Sequence, residues 1–236
     1  MNPFLAGAIS GIVEVTCTHP IDYMKTMKQQ KYSLQYIITN TSFSQYYSGY
    51  GPRVLGIIPV RFTFWGTQTY IQSILKKYNI QTNYNFMFVG TGAACMQSIV
   101  DTPIEIAKIA LMTEKRKTLP QISELSKGFG PTLFRNILFA NCVSYCCHYM
   151  KGKYCSHKKM ETLISAGLGG LVGSVISQPL DYVKTQKQLP VPDKRTSMQI
   201  LREESWSTLF RGGSYRALLG MSTMGVGYFT YMFLKT

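Results

Sequence analysis

The chain has 236 residues, of which 45% are hydrophobic and only 15% charged, and its formal net charge is +14. Clustered charges outside long apolar runs argue against an ordinary soluble core, and the positive excess implies an anionic partner. Nucleic acid is not expected as that partner, because the sequence shows no basic helix or zinc-finger spacing and the basic residues fall largely at predicted helix ends.

Six apolar stretches predict the main helices. Charged residues are absent from residues 85–100, 162–180 and 217–234. Single charges, Glu14, Arg61 and Arg135, occur in residues 3–21, 54–75 and 131–150. Each stretch extends to the roughly 20 residues that cross a bilayer, and a mean hydropathy of −0.01 fits helices lining a watery cavity. We therefore expect six transmembrane helices; the alternative is a soluble all-helical protein with charge-poor core helices.

One six-residue unit occurs three times. PIDYMK begins at Pro20, PIEIAK at Pro103 and PLDYVK at Pro179, so the prolines are 83 and then 76 residues apart. This period is too long for a solenoid and long enough for two membrane helices per repeat. Each proline follows an apolar run and is expected to kink its helix. The chain thus divides into repeats 1–80, 81–157 and 158–236 of a single domain, 1–236.

Other features recur in register with the prolines. Small residues four apart, which let membrane helices approach closely, are Gly7 and Gly11, Gly90 and Ala94, and Ala166 and Gly170. Short amphipathic helices are predicted near residues 33–41, 119–125 and 196–204. Each is followed by a glycine, namely Gly49, Gly128 and Gly212.

Catalytic and metal-binding patterns are not found in the sequence. The six cysteines form no C-x-x-C pair and mostly lie in or beside apolar runs, so we interpret them as packing residues and expect neither a metal nor a cofactor. The sequence has no Ser-His-Asp order and no phosphate-binding glycine loop, so an enzyme is not expected.

Three copies of P-x-[DE]-x-x-K, each followed by an aromatic-basic-Gly-like element, resemble the mitochondrial carrier family over the whole chain. The resemblance implies an all-α membrane protein with six transmembrane helices in three pseudo-symmetric repeats around a central cavity. It also implies a monomeric antiporter of the mitochondrial inner membrane that works by alternating access. The trimmed loops are similar to those of a compact member encoded by a large DNA virus, which implies a host mitochondrion.

The resemblance also implies a ring of ion pairs on the matrix side of the cavity. Asp22 would pair with Lys108, Glu105 with Lys184, and Asp181 with Lys25; these six residues are called the signature ring below. The family's bracing glutamine, nine residues after each proline, occurs as Gln29 and Gln188 but is replaced by Met112 in the second repeat.

The second ring of the family, at the cytoplasmic ends of the even-numbered membrane helices, is altered. Its aromatic-[DE]-x-x-[KR] positions read Gln68-Thr69-x-x-Gln72, Cys147-His148-x-x-Lys151 and Tyr231-Met232-x-x-Lys235. Without an acid, a gate made of Gln72, His148, Lys151 and Lys235 cannot close by three salt bridges. We therefore expect a cytoplasmic side that opens readily.

By the same resemblance, cargo contacts fall on the even-numbered membrane helices at Gly56-Ile57, Arg135-Asn136 and Leu219-Gly220. Arg135 is the strongest candidate, because a guanidinium at mid-membrane depth needs water or a partner and can hold a phosphate or carboxylate with two parallel hydrogen bonds. Additional candidates are Arg53, Arg61, Arg216 and Glu14. Helix-start anchoring is the alternative for Arg53 and Arg216, and a structural hydrogen bond is the alternative for Glu14.

The identity of the cargo is less strongly indicated than the class of protein. The arginines, the net charge and an apolar notch at Gly56-Ile57 with nearby Phe62, Phe64 and Trp65 favour nucleotides or deoxynucleotides. The Arg135-Asn136 pair instead resembles carriers of oxo-acids and dicarboxylates, and an uncoupling-type anion or proton carrier is a further alternative. Lipid, cardiolipin by the resemblance, is expected at Gly49, Gly128 and Gly212, where helix starts face phosphate.

Overall fold

The computed structural model describes residues 3–80, 82, 84–113, 128–150, 158–189 and 193–223, and their regular structure is helical. The first repeat contains α1 (Pro3–Gln29), α2 (Leu34–Asn40), a 3-10 helix (Phe43–Tyr47) and α3 (Tyr50–Lys77). The second contains α4 (Asn85–Thr113) and α5 (Phe129–Met150). The third contains α6 (Lys158–Ile176), α7 (Gln178–Gln188), α8 (Ser197–Glu203) and α9 (Trp206–Leu209). A last helix, α10, begins at residue 213 and is described to residue 223.

The short helices begin where the sequence supplies a capping side chain. Ser33 Oγ accepts a hydrogen bond from the backbone N–H of Tyr36 at the start of α2. Thr196 and Gln199 form a reciprocal capping box at the start of α8, which satisfies two backbone donors that a helix start leaves free. Two of the three predicted short helices are therefore present, and the third, near residues 119–125, lies outside the described residues.

The long helices contain 27 residues in α1, 28 in α3 and 29 in α4. Within the described part of the chain, none is apolar enough over a sufficient length to qualify as a candidate membrane span. The six predicted transmembrane helices stay a prediction.

The three signature prolines differ in their effect on the backbone. Pro20 and Pro103 lie inside the unbroken helices α1 and α4, whereas the third repeat is divided at Ser177, between α6 and α7. Pro179 stands in the first turn of α7. Arg216 stabilises this break, because its guanidinium donates to the carbonyl oxygen of Ser177 at 3.0 Å and to its Oγ at 2.7 Å. The predicted kink is thus a break in the third repeat.

Small residues bring together the two long helices of each repeat. A Cβ on Gly11 would lie 3.4 Å from Ile57 Cγ1, and one on Gly90 would lie 2.9 Å from Ser144 Oγ. In the third repeat a Cβ on Gly220 would lie 3.6 Å from the carbonyl oxygen of Gly170. Gly11, Gly90 and Gly170, three of the predicted small-residue positions, therefore lie at helix contacts, where close backbone approach favours dispersion.

Three glycine turns pack against signature segments elsewhere in the chain. Gly49, Gly128 and Gly212 have φ angles of 79°, 74° and 81°, a left-handed conformation in which glycine lacks the steric penalty of other residues. A Cβ on Gly49 would lie 2.5 Å from the carbonyl oxygen of Lys108, and one on Gly212 would lie 3.1 Å from that of Lys25. Each turn therefore rests on the signature segment of another repeat, the first on the second and the third on the first.

The Gly128 turn completes this cycle between the second and third repeats. A Cβ on Gly128 would lie 3.4 Å from the carbonyl oxygen of Lys184 and 3.0 Å from the side-chain Cγ of Gln188. The contact is looser than at Gly49, because its nearest atom belongs to a flexible side chain instead of the backbone.

Replacing these glycines with alanine is expected to lower stability unequally. All three variants force an L-residue into a left-handed backbone, which costs about 1–2 kcal/mol, but only Gly49→Ala also places its Cβ 2.5 Å from a backbone oxygen. Thermal unfolding of the purified protein in detergent should therefore show a larger loss for Gly49→Ala than for Gly128→Ala, its matched control. Equal losses would contradict a role for the close contact with Lys108.

Candidate functional site

The structure brings the six signature residues together in the three pairs that the resemblance implied. Lys108 Nζ lies 2.7 Å from Asp22 Oδ2, and Lys25 Nζ lies 2.6 Å from Asp181 Oδ2. Lys184 contacts Glu105 through Oε2. All six residues are buried, and every pair joins helices of two different repeats. That this ring opens during transport stays a prediction.

Intact ion pairs add little to the stability of a buried ring of this kind. Removing paired charges from water has a desolvation penalty that is comparable to the attraction between them, so an intact buried pair adds little net stability. Losing one partner is much more costly, because the other charge stays buried and uncompensated. These properties suit a latch, meaning a ring of ion pairs that must form and break repeatedly.

The two predicted bracing glutamines have different contacts. Gln29 Nε2 donates to Asp181 Oδ2 at 2.9 Å, and Gln29 Oε1 accepts from Thr185 Oγ1 at 2.7 Å, so Gln29 braces the pair of Lys25 and Asp181. Gln188 instead donates to Thr132 Oγ1 at 3.3 Å. The prediction that Gln188 braces a ring pair is wrong in this structure, because the packed Gly128 turn places Thr132 within its reach.

Arg135 has the partners that its predicted depth in the membrane requires. Its Nη1 lies 3.2 Å from Asp181 Oδ1 and 3.4 Å from Glu105 Oε1, and its Nη2 lies 3.4 Å from Asp101 Oδ2. The Asn136 side-chain oxygen accepts from Nε at 3.1 Å. Two of these acids belong to the signature ring, so the strongest cargo candidate also touches the latch.

Asp101 is a site residue that the sequence reasoning missed. It lies on α4 two residues before Pro103, is 3% exposed, and contacts Arg53 Nη1 at 3.5 Å as well as Arg135. The sequence does contain an indication of this role. The positions two residues before Pro20 and Pro179 are the uncharged residues Thr18 and Ser177, so an acid at this position occurs only in the second repeat.

The remaining polar candidates are held by defined partners. Arg61 Nη2 donates to the two carboxylate oxygens of Glu14 at 2.9 and 3.0 Å. Asn136 is buried and its Nδ2 donates to Ser98 Oγ at 2.9 Å. Arg216 is buried against Ser177, and its Nη1 lies 3.6 Å from Asp181 Oδ1. Its contacts are those of the helix-start anchor.

The predicted apolar notch is filled. A Cβ on Gly56 would lie 2.5 Å from Ile104 Cγ2, and Ile57 is buried where α3 meets Gly11. Gly220 faces Ser174 Oγ, 3.0 Å from its ideal Cβ position. The proposed contacts of Gly56, Ile57 and Gly220 with cargo are therefore corrected to helix packing. The two glycines let neighbouring side chains close over them, and the buried Ile57 side chain packs against Gly11. The side chain of Trp65 lies outside the described residues.

The charges of this region do not cancel. The central charge cluster is defined as the signature ring with Asp101, Arg53, Arg135 and Arg216. Six bases and four acids therefore give a net charge of +2 among the described residues. The pair of Glu14 and Arg61 adds nothing to this balance. A buried excess of positive charge is unfavourable unless an anion compensates it.

The predicted cytoplasmic gate is only partly described. Gln72 and His148 are exposed, and the His148 ring stacks on Phe86 with centroids 4.5 Å apart, which connects α5 to α4. Lys151 and Lys235 lie outside the described residues, so the gate stays a prediction.

A surface charge cluster orders the loop before α8. Hydrogen bonds from the Arg195 side chain lower the pKa of Asp193. The guanidinium of Arg195 also contacts Glu203 at 3.2 Å and Glu204 at 2.8 Å. The loop is thereby attached to α8 by side chains that are partly exposed at the protein surface.

The sequence was also compared with known protein families. The sequence profile described as Mitochondrial carrier protein matches residues 1–79 and 155–236, about two thirds of the chain. The chain belongs to the mitochondrial carrier protein family. The profile match leaves out residues 80–154, which contain Asp101, Arg135 and Asn136.

Individual members of the family align across most of this carrier. The mitochondrial aspartate-glutamate transporter of Saccharomyces cerevisiae is 25% identical over 98% of the chain, which spans only 31% of that transporter. The mitochondrial 2-oxodicarboxylate carrier of Rattus norvegicus is 27% identical, with 88% of this chain and 84% of the relative aligned. The electrogenic aspartate/glutamate antiporter of the same species is 24% identical, and the chain covers 40% of it.

Proposed function

We propose that this carrier exchanges small dicarboxylates, with 2-oxodicarboxylates as the first candidates, across the mitochondrial inner membrane by alternating access. The observation that carries the proposal is the net charge of +2 in the central charge cluster. A dicarboxylate supplies two negative charges and neutralises that excess, which an uncharged cargo does not.

Three arginines are placed to meet such a cargo. The side chains of Arg53, Arg61 and Arg135 are 28%, 42% and 13% exposed, whereas the lysines of the signature ring are more deeply buried. A guanidinium has five N–H donors. The ion pairs of Arg53 and Arg61 with acids in the described part of the chain use one terminal nitrogen each. Each can therefore donate hydrogen bonds to a cargo carboxylate in the fork geometry that favours Arg over Lys.

The contacts of Arg135 suggest how binding leads to opening. A cargo carboxylate that draws the guanidinium toward itself weakens the contacts of Arg135 with Glu105 and Asp181. Those two acids belong to two of the three latch pairs, so the ring is destabilised when cargo is bound. Coupling of this kind favours exchange over leakage, because an empty carrier keeps its ring closed.

The dicarboxylate proposal replaces the sequence-based preference for nucleotides. The relatives named above are carriers of aspartate, glutamate or 2-oxodicarboxylates, and Ile104 fills the notch that was assigned to a nucleobase. The Arg135-Asn136 pair, which favoured oxo-acids, supports the same proposal.

Exchange in proteoliposomes tests the proposal. Vesicles loaded with 2-oxoglutarate, aspartate, dATP or buffer alone are supplied with labelled 2-oxoglutarate, and in a parallel series with labelled dATP. We expect 2-oxoglutarate uptake only against an internal dicarboxylate. Uptake of dATP against internal dATP, without dicarboxylate exchange, would contradict the proposal; uptake into vesicles without internal cargo would indicate an uncoupling-type carrier instead.

Several finer expectations accompany this function. A monomeric carrier follows from three repeats that close one ring, and lipid contact is expected where Gly49, Gly128 and Gly212 mark helix starts. Location in a host mitochondrion, for a virus-encoded member, stays a prediction from the short loops.

A further inference from the structure

The second repeat contains a buried carboxylate that the signature ring does not use. Asp101 Oδ2 lies 3.4 Å from Arg135 Nη2, and Oδ1 lies 3.5 Å from Arg53 Nη1. The ring pairs of Lys25 with Asp181 and of Lys108 with Asp22 are much closer, at 2.6 and 2.7 Å. Charge-assisted hydrogen bonds typically span about 2.7–2.9 Å, so Asp101 lies between two arginines without binding either tightly.

The hydrogen-bond inventory of Asp101 leads to the same conclusion. Its Oδ1 accepts no hydrogen bond from the residues that the structure describes, although the side chain is buried. A buried carboxylate without a full set of donors is unfavourable. Its charge therefore contributes mainly by offsetting part of the arginine charge in the cavity.

We propose that Asp101 is a specificity-determining residue whose carboxylate lies where a third cargo carboxylate would lie, and that it thereby restricts the carrier to dianions. With Asp101 the central charge cluster has an excess of two positive charges, and without it the excess is three. This inference rests on the proposed dicarboxylate exchange, because it assumes that cargo meets Arg53 and Arg135.

Two substitutions remove the charge in different ways. Asp101→Asn keeps the size of the side chain, and Asp101→Thr introduces the residue found at the equivalent position of the first repeat, Thr18. Thr18 is accommodated in α1 with its hydroxyl donating to the carbonyl oxygen of Glu14 at 2.8 Å. Asp193→Asn, which removes an acid from the surface loop, is the matched control.

The experiment compares a dicarboxylate with a tricarboxylate on the full chain. Purified wild type and variants are tested at about pH 8, where all carboxylates are ionised, for thermal stabilisation by 2-oxoglutarate and by citrate. Inhibition of labelled 2-oxoglutarate exchange by external citrate is then measured in proteoliposomes. Both Asp101 variants are expected to increase the preference for citrate over 2-oxoglutarate about tenfold, whereas Asp193→Asn leaves it unchanged.

The outcomes separate this inference from the proposed function. If the wild type neither binds nor exchanges dicarboxylates, the proposed function is wrong and the role of Asp101 falls with it. If the wild type exchanges dicarboxylates but both variants keep its preference within about twofold, only the inference is overturned. Loss of 2-oxoglutarate binding in the variants without a gain for citrate also overturns it.

Discussion

Asp181→Asn is expected to lower the free energy of unfolding by about 3–5 kcal/mol, the range seen when one partner of a buried ion pair is removed. Asp181 is fully buried, and its carboxylate lies 2.6 Å from Lys25, 3.2 Å from Arg135 and 3.6 Å from Arg216. Its loss leaves three cations without a shared counter-charge. Thermal unfolding in detergent should show a decrease in Tm of about 6–20 °C for a chain of this size.

Asp22→Asn is the matched comparison for this prediction. Asp22 is also a buried acid of the signature ring, but its one ion pair among the described residues is with Lys108, at 2.7 Å. We expect a smaller decrease in Tm than for Asp181→Asn, because fewer cations lose their partner. An equal or larger decrease for Asp22→Asn would show that Asp181 is not the hub of the ring.

Arg135→Gln is expected to reduce dicarboxylate exchange at least about 30-fold, since loss of one partner in a buried hydrogen-bonded charge pair costs about 2 kcal/mol or more. Among the described residues, Arg135 is the one that contacts two ring acids and Asp101, so its loss affects cargo binding and ring opening together. Arg135→Lys should retain part of the exchange, because it keeps the charge but loses the planar fork.

A binding measurement separates the two contributions of Arg135. Wild-type protein should be stabilised against heat by 2-oxoglutarate, and Arg135→Gln should not, whatever its own Tm. Arg202→Gln, which removes an exposed cation on α8, should keep both exchange and stabilisation. If Arg135→Gln were still stabilised by 2-oxoglutarate to the same degree, Arg135 would serve the latch alone and the cargo would bind elsewhere.

The sequence alone determined the framework of this carrier. Three proline units in register predict three equivalent helix bends, and their resemblance to the carrier family implies the pairs of Asp22 with Lys108, Glu105 with Lys184 and Asp181 with Lys25. The glycines at 49, 128 and 212 were also recognisable, and the structure adds that they pack on neighbouring signature segments. Such features repeat with the chain, so a pattern in one dimension is sufficient to find them.

Only the tertiary structure decided which polar groups share the central space. Gly56 and Gly220 appeared open until Ile104 and Ser174 were placed beside them, and Gln188 appeared to brace the ring until Thr132 was placed within its reach. Asp101 became visible as a site residue because two arginines from α3 and α5 point toward it. A side chain's partner on another helix depends on how each helix is rotated about its axis, and that rotation is set by packing across the whole bundle.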